Sequence, residues 1–303
     1  MNMKVNFCGV EFKNPIVTAS GTFGFGDEYN EYAPLSEYGG IGTKGITRYP
    51  RGGNKPPRIA EVEMGILNSV GLQNPGIESF LEDLMPHIRE YDTNIIANMS
   101  GNTIEEYCQM AQMLSDSDVD IIEMNISCPN VKHGGMAFGT NPDVVYELTK
   151  EVKTVSKKPL VVKLSPNVTS ITDIALAAQR GGADGLSLIN TLLGMKIDIN
   201  TRRPVLANNT GGFSGPAIKP VAIRMVHEVY KAVDIPIIGM GGVMSGADVI
   251  EFMIAGASLV ALGTGMFIKP DLILDVKRDI EEYCNKFGIS DINDLVGSLV
   301  LNE

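Results

Sequence analysis

The 303 residues include only four cysteines and three histidines, and their spacing excludes the common metal sites. Cys8, Cys108, Cys128 and Cys284 form no C-x-x-C pair, so neither a zinc knuckle nor an iron–sulfur binding run is present. A disulfide framework is not expected in a chain this long and this poor in cysteine. His87, His133 and His227 lack H-E-x-x-H spacing, and no metal site on the protein is expected. Basic charge is also in deficit: 25 Lys and Arg face 36 Asp and Glu, a formal net charge of -11. A nucleic-acid backbone is a polyanion and needs a basic face, so that class of partner is excluded. No run of about 18 uninterrupted apolar residues occurs. The start, MNMKVNFCGVEF, passes from polar residues into a strand-like segment without an apolar signal region. The expectation is a soluble, cytoplasmic protein with no membrane partner.

The composition is that of a globular protein, 44% hydrophobic and 20% charged. At about 150 residues per domain the length would suggest two, but a single α/β barrel reaches this size. Short apolar or β-branched runs recur behind turn signals: PIVTAS at Pro15, GIGTKG at Gly40, NIIANMSG at Asn94 and VDIIEMNIS at Val119. PLVVKLSP at Pro159, ADGLSLINT at Ala183, IPIIGMGG at Ile235 and SLVALGTG at Ser258 follow. Most are separated by helical patterns with apolar residues at i, i+3, i+4 and i+7, such as TIEEYCQMAQMLSD and KPVAIRMVHEVYKAV. Strands that alternate with helices pair in parallel. Eight such units predict an α/β fold, a (β/α)8 TIM barrel, as one domain over residues 1–303.

Polar residues fall at the C-terminal ends of these strands: Ser20, Lys44, Asn98, Asn125, Lys163, Asn190, Gly241 with Gly242, and Gly263 with Thr264. In a parallel barrel all strand C-termini open on one face, so these groups converge over one mouth. Asn and Gly also end strands for purely local reasons, which accounts for one or two members and not for the set. Two insertions follow strand ends on the same side. Residues 46–76, with RYPRGGNKPPR, are predicted to form a hairpin over the mouth, and residues 192–216 read as irregular.

GIGTKG matches G-x-G-x-x-G formally, but a dinucleotide fingerprint follows a strand and opens a helix, whereas here the motif lies in the strand. DSDVDIIEMNIS fails as a calcium loop, with Ile121 at its sixth position and Ser127 at its twelfth. GMGGV and ALGTG are stronger. Loops after the seventh and eighth strands of such barrels bind phosphate through backbone N–H groups, so a phosphorylated ligand or cofactor is implied. NISCPNVKHGG is the sharpest element. Cys128 stands just past a strand end on a loop containing Gly134 and Gly135, where a thiolate can act as nucleophile or base. Cys8, Cys108 and Cys284 read as inert buried residues.

Together NPIVTASGTFG, GTKGIT, NSVGLQNPG, NISCPNVKHGG, VVKLSP, INT, GGFSGPAIKP, GMGGV and ALGTG resemble the class 1 dihydroorotate dehydrogenases over nearly the whole chain and in the family's order. VKHGGMAFG and NSVGLQNPG are most similar to the NAD-linked 1B catalytic subunit, whereas fumarate-using 1A enzymes tend to have a Pro-Gly-Lys-Pro-Gln type of lid.

The resemblance implies FMN on the C-terminal face of the barrel. Ser20, Lys44, Gly45, Asn98, Asn125, Lys163, Ile189, Gly215, Gly241, Gly242, Gly263 and Thr264 match FMN-contacting positions. Lys163 brings positive charge that favours reduced, anionic flavin. Lys44, Asn68, Ser69, Val70, Gly71, Leu72, Asn125, Asn190 and Thr191 match positions that hold dihydroorotate, whose carbonyls and ring N–H groups suit asparagine amides. Cys128 is implied as the base that takes the C5 proton while hydride leaves C6 for the flavin, giving orotate in pyrimidine (UMP) biosynthesis. The lid from Val131 to Gly139 is expected to be mobile without substrate. Class 2 enzymes use serine in place of the cysteine and carry a membrane-associating N-terminal extension, and neither is expected here. The 1B likeness further implies a homodimer within a heterotetramer, with a partner subunit carrying FAD and a [2Fe-2S] cluster that passes electrons to NAD. Direct use of fumarate, a barrel aldolase with a Schiff base on Lys163 or Lys44, and a non-enzymatic binding barrel are the alternatives.

Overall fold

In the computed structural model, which describes residues 1–127 and 138–302, sixteen short strands are present. They are β1 (Val5–Phe7), β2 (Val10–Phe12), β3 (Ile16–Thr18), β4 (Gly40–Gly42), β5 (Ile59–Val62), β6 (Gly65–Asn68), β7 (Asn94–Met99) and β8 (Ile121–Asn125). The remainder are β9 (Leu160–Lys163), β10 (Gly185–Leu188), β11 (Leu192–Gly194), β12 (Ile197–Asp198), β13 (Arg203–Pro204), β14 (Gly211–Ser214), β15 (Ile237–Met240) and β16 (Leu259–Leu262). A closed barrel runs β3-β4-β7-β8-β9-β10-β15-β16 and back to β3, with parallel pairing at every seam. These are the eight runs expected from the sequence. Helices cover the outer faces and side chains fill the interior, so the strands carry apolar residues at nearly every position. β9, β10, β15 and β16 are buried throughout.

Helices lie between the strands: α1 (Asp27–Asn30), α2 (Ile77–Ser79), α3 (Met85–Ile88), α4 (Ile104–Ser115), α5 (Pro142–Val155) and α6 (Ile171–Arg180). They continue as α7 (Lys219–Ala232), α8 (Gly246–Ala255), α9 (Gly265–Ile268) and α10 (Leu272–Phe287). The covering helices are amphipathic; α5 buries Val145, Leu148, Thr149 and Val152, which share one helical face. Four begin at side-chain caps, Thr103, Asn141, Ser170 and Ser245, each accepting a backbone N–H from the first turn. Among the described residues no helix is long and apolar enough to cross a membrane.

The structure departs from a regular strand–helix alternation in three places. Between β3 and β4 there is only α1 and a 3-10 turn, Leu35–Glu37. The segment 77–88 is not one helix, because a π-helical stretch, Phe80–Leu84, separates α2 from α3. The insertion expected to be irregular forms strands: β11 and β14 pair with the β5–β6 hairpin of the first insertion in one antiparallel sheet, ordered β11-β14-β6-β5. Its register sets Gly212 opposite Asn68. That pairing joins residues about 145 apart, and local pattern carries no trace of it.

The N-terminal end of the barrel is closed by the β1–β2 hairpin. Phe7 and Phe12 are fully buried and meet edge to face at 6.2 Å, an arrangement aromatic rings favour. Gly185 and Gly40, the first residues of β10 and β4, leave room for them: an added Cβ would stand 3.0 Å from Phe7 and 2.8 Å from Phe12. With that end closed, the only face left to the strand-end polar groups is the opposite one.

Candidate active site

The strand C-termini surround a cavity of about 640 Å3. Ser20 reaches it from beyond β3, Lys44 and Gly45 from beyond β4, Asn125 from the end of β8 and Lys163 from the end of β9. Ile189, Asn190 and Thr191 follow β10, Gly241 and Gly242 follow β15, and Gly263 and Thr264 follow β16. The four-stranded sheet over the mouth adds Asn68, Ser69, Val70, Gly71 and Leu72 after β6, and Gly215 after β14. The expected site residues therefore share one volume, with two exceptions. Asn98 is fully buried within β7 and does not line the cavity. Cys128 lies outside the described residues, as do His133, Gly134, Gly135 and the rest of the 131–137 segment.

At one pole stand the glycine pairs. Gly242 has φ +81, and a Cβ there would lie 2.8 Å from the Cβ of Lys219, so the turn excludes other residues on conformation and on space. Asp248 shapes this turn from below, accepting the Met244 N–H at 2.8 Å and the Ser245 hydroxyl at 3.0 Å. The nearby Lys219 ammonium donates to Asp248 and Glu251, both at 2.6 Å. With Lys219 engaged by two acids, an anion at this turn is left to backbone N–H groups. Burial pushes the Asp248 carboxyl up, but hydrogen bonds from Lys219, Met244 and Ser245 and the Lys219 charge together bring it below the ordinary aspartate value. Gly263 is the converse of Gly242: an added Cβ would meet nothing nearer than Ala19 at 3.5 Å. The space beside it is open to the cavity. Thr264 donates its hydroxyl to Ser214 at 2.8 Å.

At the other pole are amides and Lys44. Asn125 Oδ1 accepts from the Ser127 N–H at 3.2 Å and the Ser127 hydroxyl at 2.6 Å, and Asn190 Nδ2 donates to that same hydroxyl. Asn190 Oδ1 accepts the Thr191 N–H at 2.8 Å. Both side chains are thus oriented by neighbouring groups, and Asn125 keeps its NH2 without a partner among the described residues. The buried Ser69 hydroxyl likewise has no partner there. Gly71 and Leu72 both take left-handed backbone, at φ 79 and 55, a costly conformation for leucine that is held where the chain bends into the cavity. Burial, and secondarily the Arg58 guanidinium, hold the Lys44 ammonium below the ordinary lysine value.

Beneath the cavity lies a buried polar layer that the sequence reading missed. Glu123 Oε1 accepts the Ser187 hydroxyl at 2.6 Å, Oε2 accepts Asn98 Nδ2 at 2.5 Å, and Lys163 Nζ stands 3.7 Å from Oε2. The signal was a carboxylate in the body of an otherwise apolar run, two residues before Asn125 and so on the same face of β8. Ser127, Ser214 and Asn54, whose amide donates to the Ser69 carbonyl at 2.9 Å, were missed as well. Among the described cysteines, burial foremost raises the thiol pKa: Cys8 to about 12, Cys108 and Cys284 in direction. None of these three has the depressed pKa of a reactive thiol. Among the described residues no cluster of His, Cys, Asp or Glu is placed to hold a metal ion.

Comparison with known proteins agrees with the resemblance read from the motifs. A family model for dihydroorotate dehydrogenase matches residues 2–284. The catalytic subunit of dihydroorotate dehydrogenase B (NAD(+)) of Alkaliphilus metalliredigens is 59% identical over 299 residues, 99% of each chain. The protein of the same description from Alkaliphilus oremlandii is 55% identical over 98% of this chain and 99% of its own. That from Caldicellulosiruptor bescii is 54% identical over 99% of each. A match of this extent, on a barrel whose mouth gathers the family's motif residues, leaves one conclusion: the chain belongs to the dihydroorotate dehydrogenase family.

Proposed function

We propose that this chain oxidises (S)-dihydroorotate to orotate in de novo pyrimidine biosynthesis, with FMN bound in the cavity and electrons passed to NAD through a partner subunit. The observation that carries the reading is a single cavity with two poles: a glycine-lined anion cradle at the ends of β15 and β16, and a set of oriented amides with Lys44 at the ends of β4, β8 and β10.

The residues present fit FMN. The open space at Gly263 and the left-handed turn at Gly242 suit a phosphate held by backbone N–H groups, with Ser20, Gly215, Gly241 and Thr264 around it. Lys163 supplies a cation at the cavity wall, and the unpartnered Oδ1 of buried Asn98 supplies an acceptor without a donor, as the edge of a flavin ring would satisfy. Lys44, Gly45, Asn125 and Ile189 complete the set. When bound, FMN supplies the two-electron acceptor for the hydride that leaves C6 of dihydroorotate.

This chain's residues then have three tasks. The Lys44 ammonium takes the substrate carboxylate, gaining back in the complex the charge partner that burial denies it. Asn68, Asn125, Asn190, Ser69 and Thr191 match the ring carbonyls and N–H groups without adding charge, while Val70, Gly71 and Leu72 close over the ring and displace water. Cys128 takes the C5 proton as thiolate. The partner is proposed to carry FAD and a [2Fe-2S] cluster, with a homodimer of this chain inside a heterotetramer in the cytoplasm. The whole chain is read as one barrel domain with two mouth insertions.

The test is an absorbance spectrum of the purified protein followed by anaerobic titration with dihydroorotate. Bound flavin that bleaches stoichiometrically, with orotate released, is the expected result. A protein that binds no flavin, or flavin that dihydroorotate does not bleach, overturns the proposal.

A further inference from the structure

We infer that Glu123 is a positioning residue that fixes both the hydrogen-bonding polarity and the local charge of the cavity floor, and so sets the balance between oxidised and reduced cofactor. This rests on the reading of the cavity as an FMN site. Glu123 is 3% exposed and does not line the cavity, so it acts through its neighbours.

The first neighbour is Asn98. An asparagine amide can turn either end toward a site, and the two ends are opposite in hydrogen-bonding character. Here the choice is forced. A carboxylate only accepts, so the end at 2.5 Å from Glu123 Oε2 is the NH2 group. Oδ1 is then left buried without a partner. It lies toward Gly45, where an added Cβ would come within 3.1 Å of it, and Gly45 itself lines the cavity. The buried acceptor therefore packs against the cavity lining at position 45, one glycine away from the bound group. Glu123 makes that position an acceptor, selecting a ligand edge that carries N–H.

The second neighbour is Lys163, whose ammonium lines the cavity wall and stands 3.7 Å from the same Oε2. At this separation in a buried site the carboxylate offsets part of the positive charge that the cavity feels. The Ser187 hydroxyl, at 2.6 Å from Oε1, in turn draws off part of the carboxylate's charge. Ser187 is fully buried, and its hydroxyl reaches the cavity wall through Glu123. The three side chains form a graded chain: Ser187 moderates Glu123, and Glu123 moderates Lys163 and orients Asn98.

The sign of each substitution follows. Glu123→Gln removes a negative charge near the flavin and frees the Asn98 amide to turn. Binding of oxidised FMN weakens, while the uncompensated Lys163 favours the anionic reduced form. Ser187→Ala leaves the carboxylate its full charge and works the opposite way. The experiment measures dissociation constants for oxidised FMN by fluorescence and the midpoint potential of bound FMN by dye equilibration, in wild type and both variants. For Glu123→Gln the expected result is about tenfold weaker oxidised FMN and a tenfold shift of the oxidised-to-reduced affinity ratio toward the reduced form. That is about 30 mV upward for a two-electron couple. For Ser187→Ala a shift of about threefold in the other direction is expected. A merely structural role would weaken both redox states equally and leave the potential where it was; an unchanged potential in Glu123→Gln overturns the inference. Should Glu123→Gln not fold, Ser187→Ala decides alone: an upward or unchanged potential overturns it. A wild-type protein that binds no FMN overturns the functional reading itself, a different and separable result.

Discussion

Lys44 carries the clearest pH dependence at the scale of single residues. Its pKa lies below 10.5 because burial, helped by Arg58, disfavours the ammonium. For stability, a cationic group depressed on folding costs the native state below its folded pKa, and this cost lifts as pH rises from that value toward 10.5. Binding runs the other way: a carboxylate ligand needs the ammonium, so orotate affinity is full below the Lys44 pKa and falls as pH rises through it. Titration of the flavin spectrum with orotate should show the fall beginning below the pH at which an ordinary lysine titrates. Lys44→Arg, whose guanidinium stays protonated, should be flat over the same range, and Lys44→Ala should lose about 2 kcal/mol of orotate binding. Gly263→Ala is the complementary test at the cofactor pole. A Cβ at 3.5 Å from Ala19 leaves the fold intact, so unchanged thermal stability of the apoprotein with at least tenfold weaker FMN is expected. Cys128→Ser should keep FMN and orotate binding and lose most turnover near neutral pH, with partial recovery as pH rises, because a hydroxyl is a far weaker acid than a thiol. Flavin reduction as fast as wild type at pH 7 would remove Cys128 from the role of base.

At the scale of elements, helix caps near and far from the site separate stability from binding. Ser245 caps α8 by accepting the Asp248 N–H, and its hydroxyl also donates to the carboxylate that braces the Gly242 turn. Ser170 caps α6 in the same way, through the Asp173 N–H, away from that turn. Each serine-to-alanine change should cost about 1 kcal/mol in denaturant unfolding; the Ser245 variant alone should also weaken FMN. Equal FMN affinity in both variants would separate the Asp248 brace from the cradle. The eight barrel strands were readable in advance, because short apolar runs behind turn signals and the helical periodicity between them are written in neighbouring residues. Of the sheet over the mouth, the β5–β6 hairpin was expected and the two strands of the second insertion were not. β11 and β14 are short, and β14 joins the sheet only through long-range pairing with β6, so the second insertion looked structureless until Gly212 met Asn68. Asn98 shows the same limit within the site. Its strand-end asparagine looked like a cavity residue, but a six-residue β7 places it inside the strand, against a glutamate from the next one.

For the whole molecule the remaining question is where the electrons go after the flavin. Direct reduction of NAD needs a dinucleotide site, and the one formal G-x-G-x-x-G occupies β4 and the residues just after it, where Ile46 bridges to Met99 and no helix opens onto a pyrophosphate. An internal relay would need clustered thiolates. Cys8 follows β1, Cys108 sits in α4 and Cys284 in α10, on three separate elements, with no run that groups them as a cluster's ligands are grouped. The fourth, Cys128, is proposed for proton removal. The similar proteins are described as catalytic subunits of NAD(+)-linked enzymes, and the proposed second subunit would carry the electrons on to that acceptor. Assay of the purified chain with dihydroorotate should therefore reduce an artificial dye but not NAD, and NAD reduction should appear when a subunit carrying FAD and a [2Fe-2S] cluster is added. Efficient NAD reduction by the chain alone would overturn the need for a relay. A strong preference for fumarate would instead place the chain with direct fumarate users, while leaving the oxidation of dihydroorotate at the cavity unchanged.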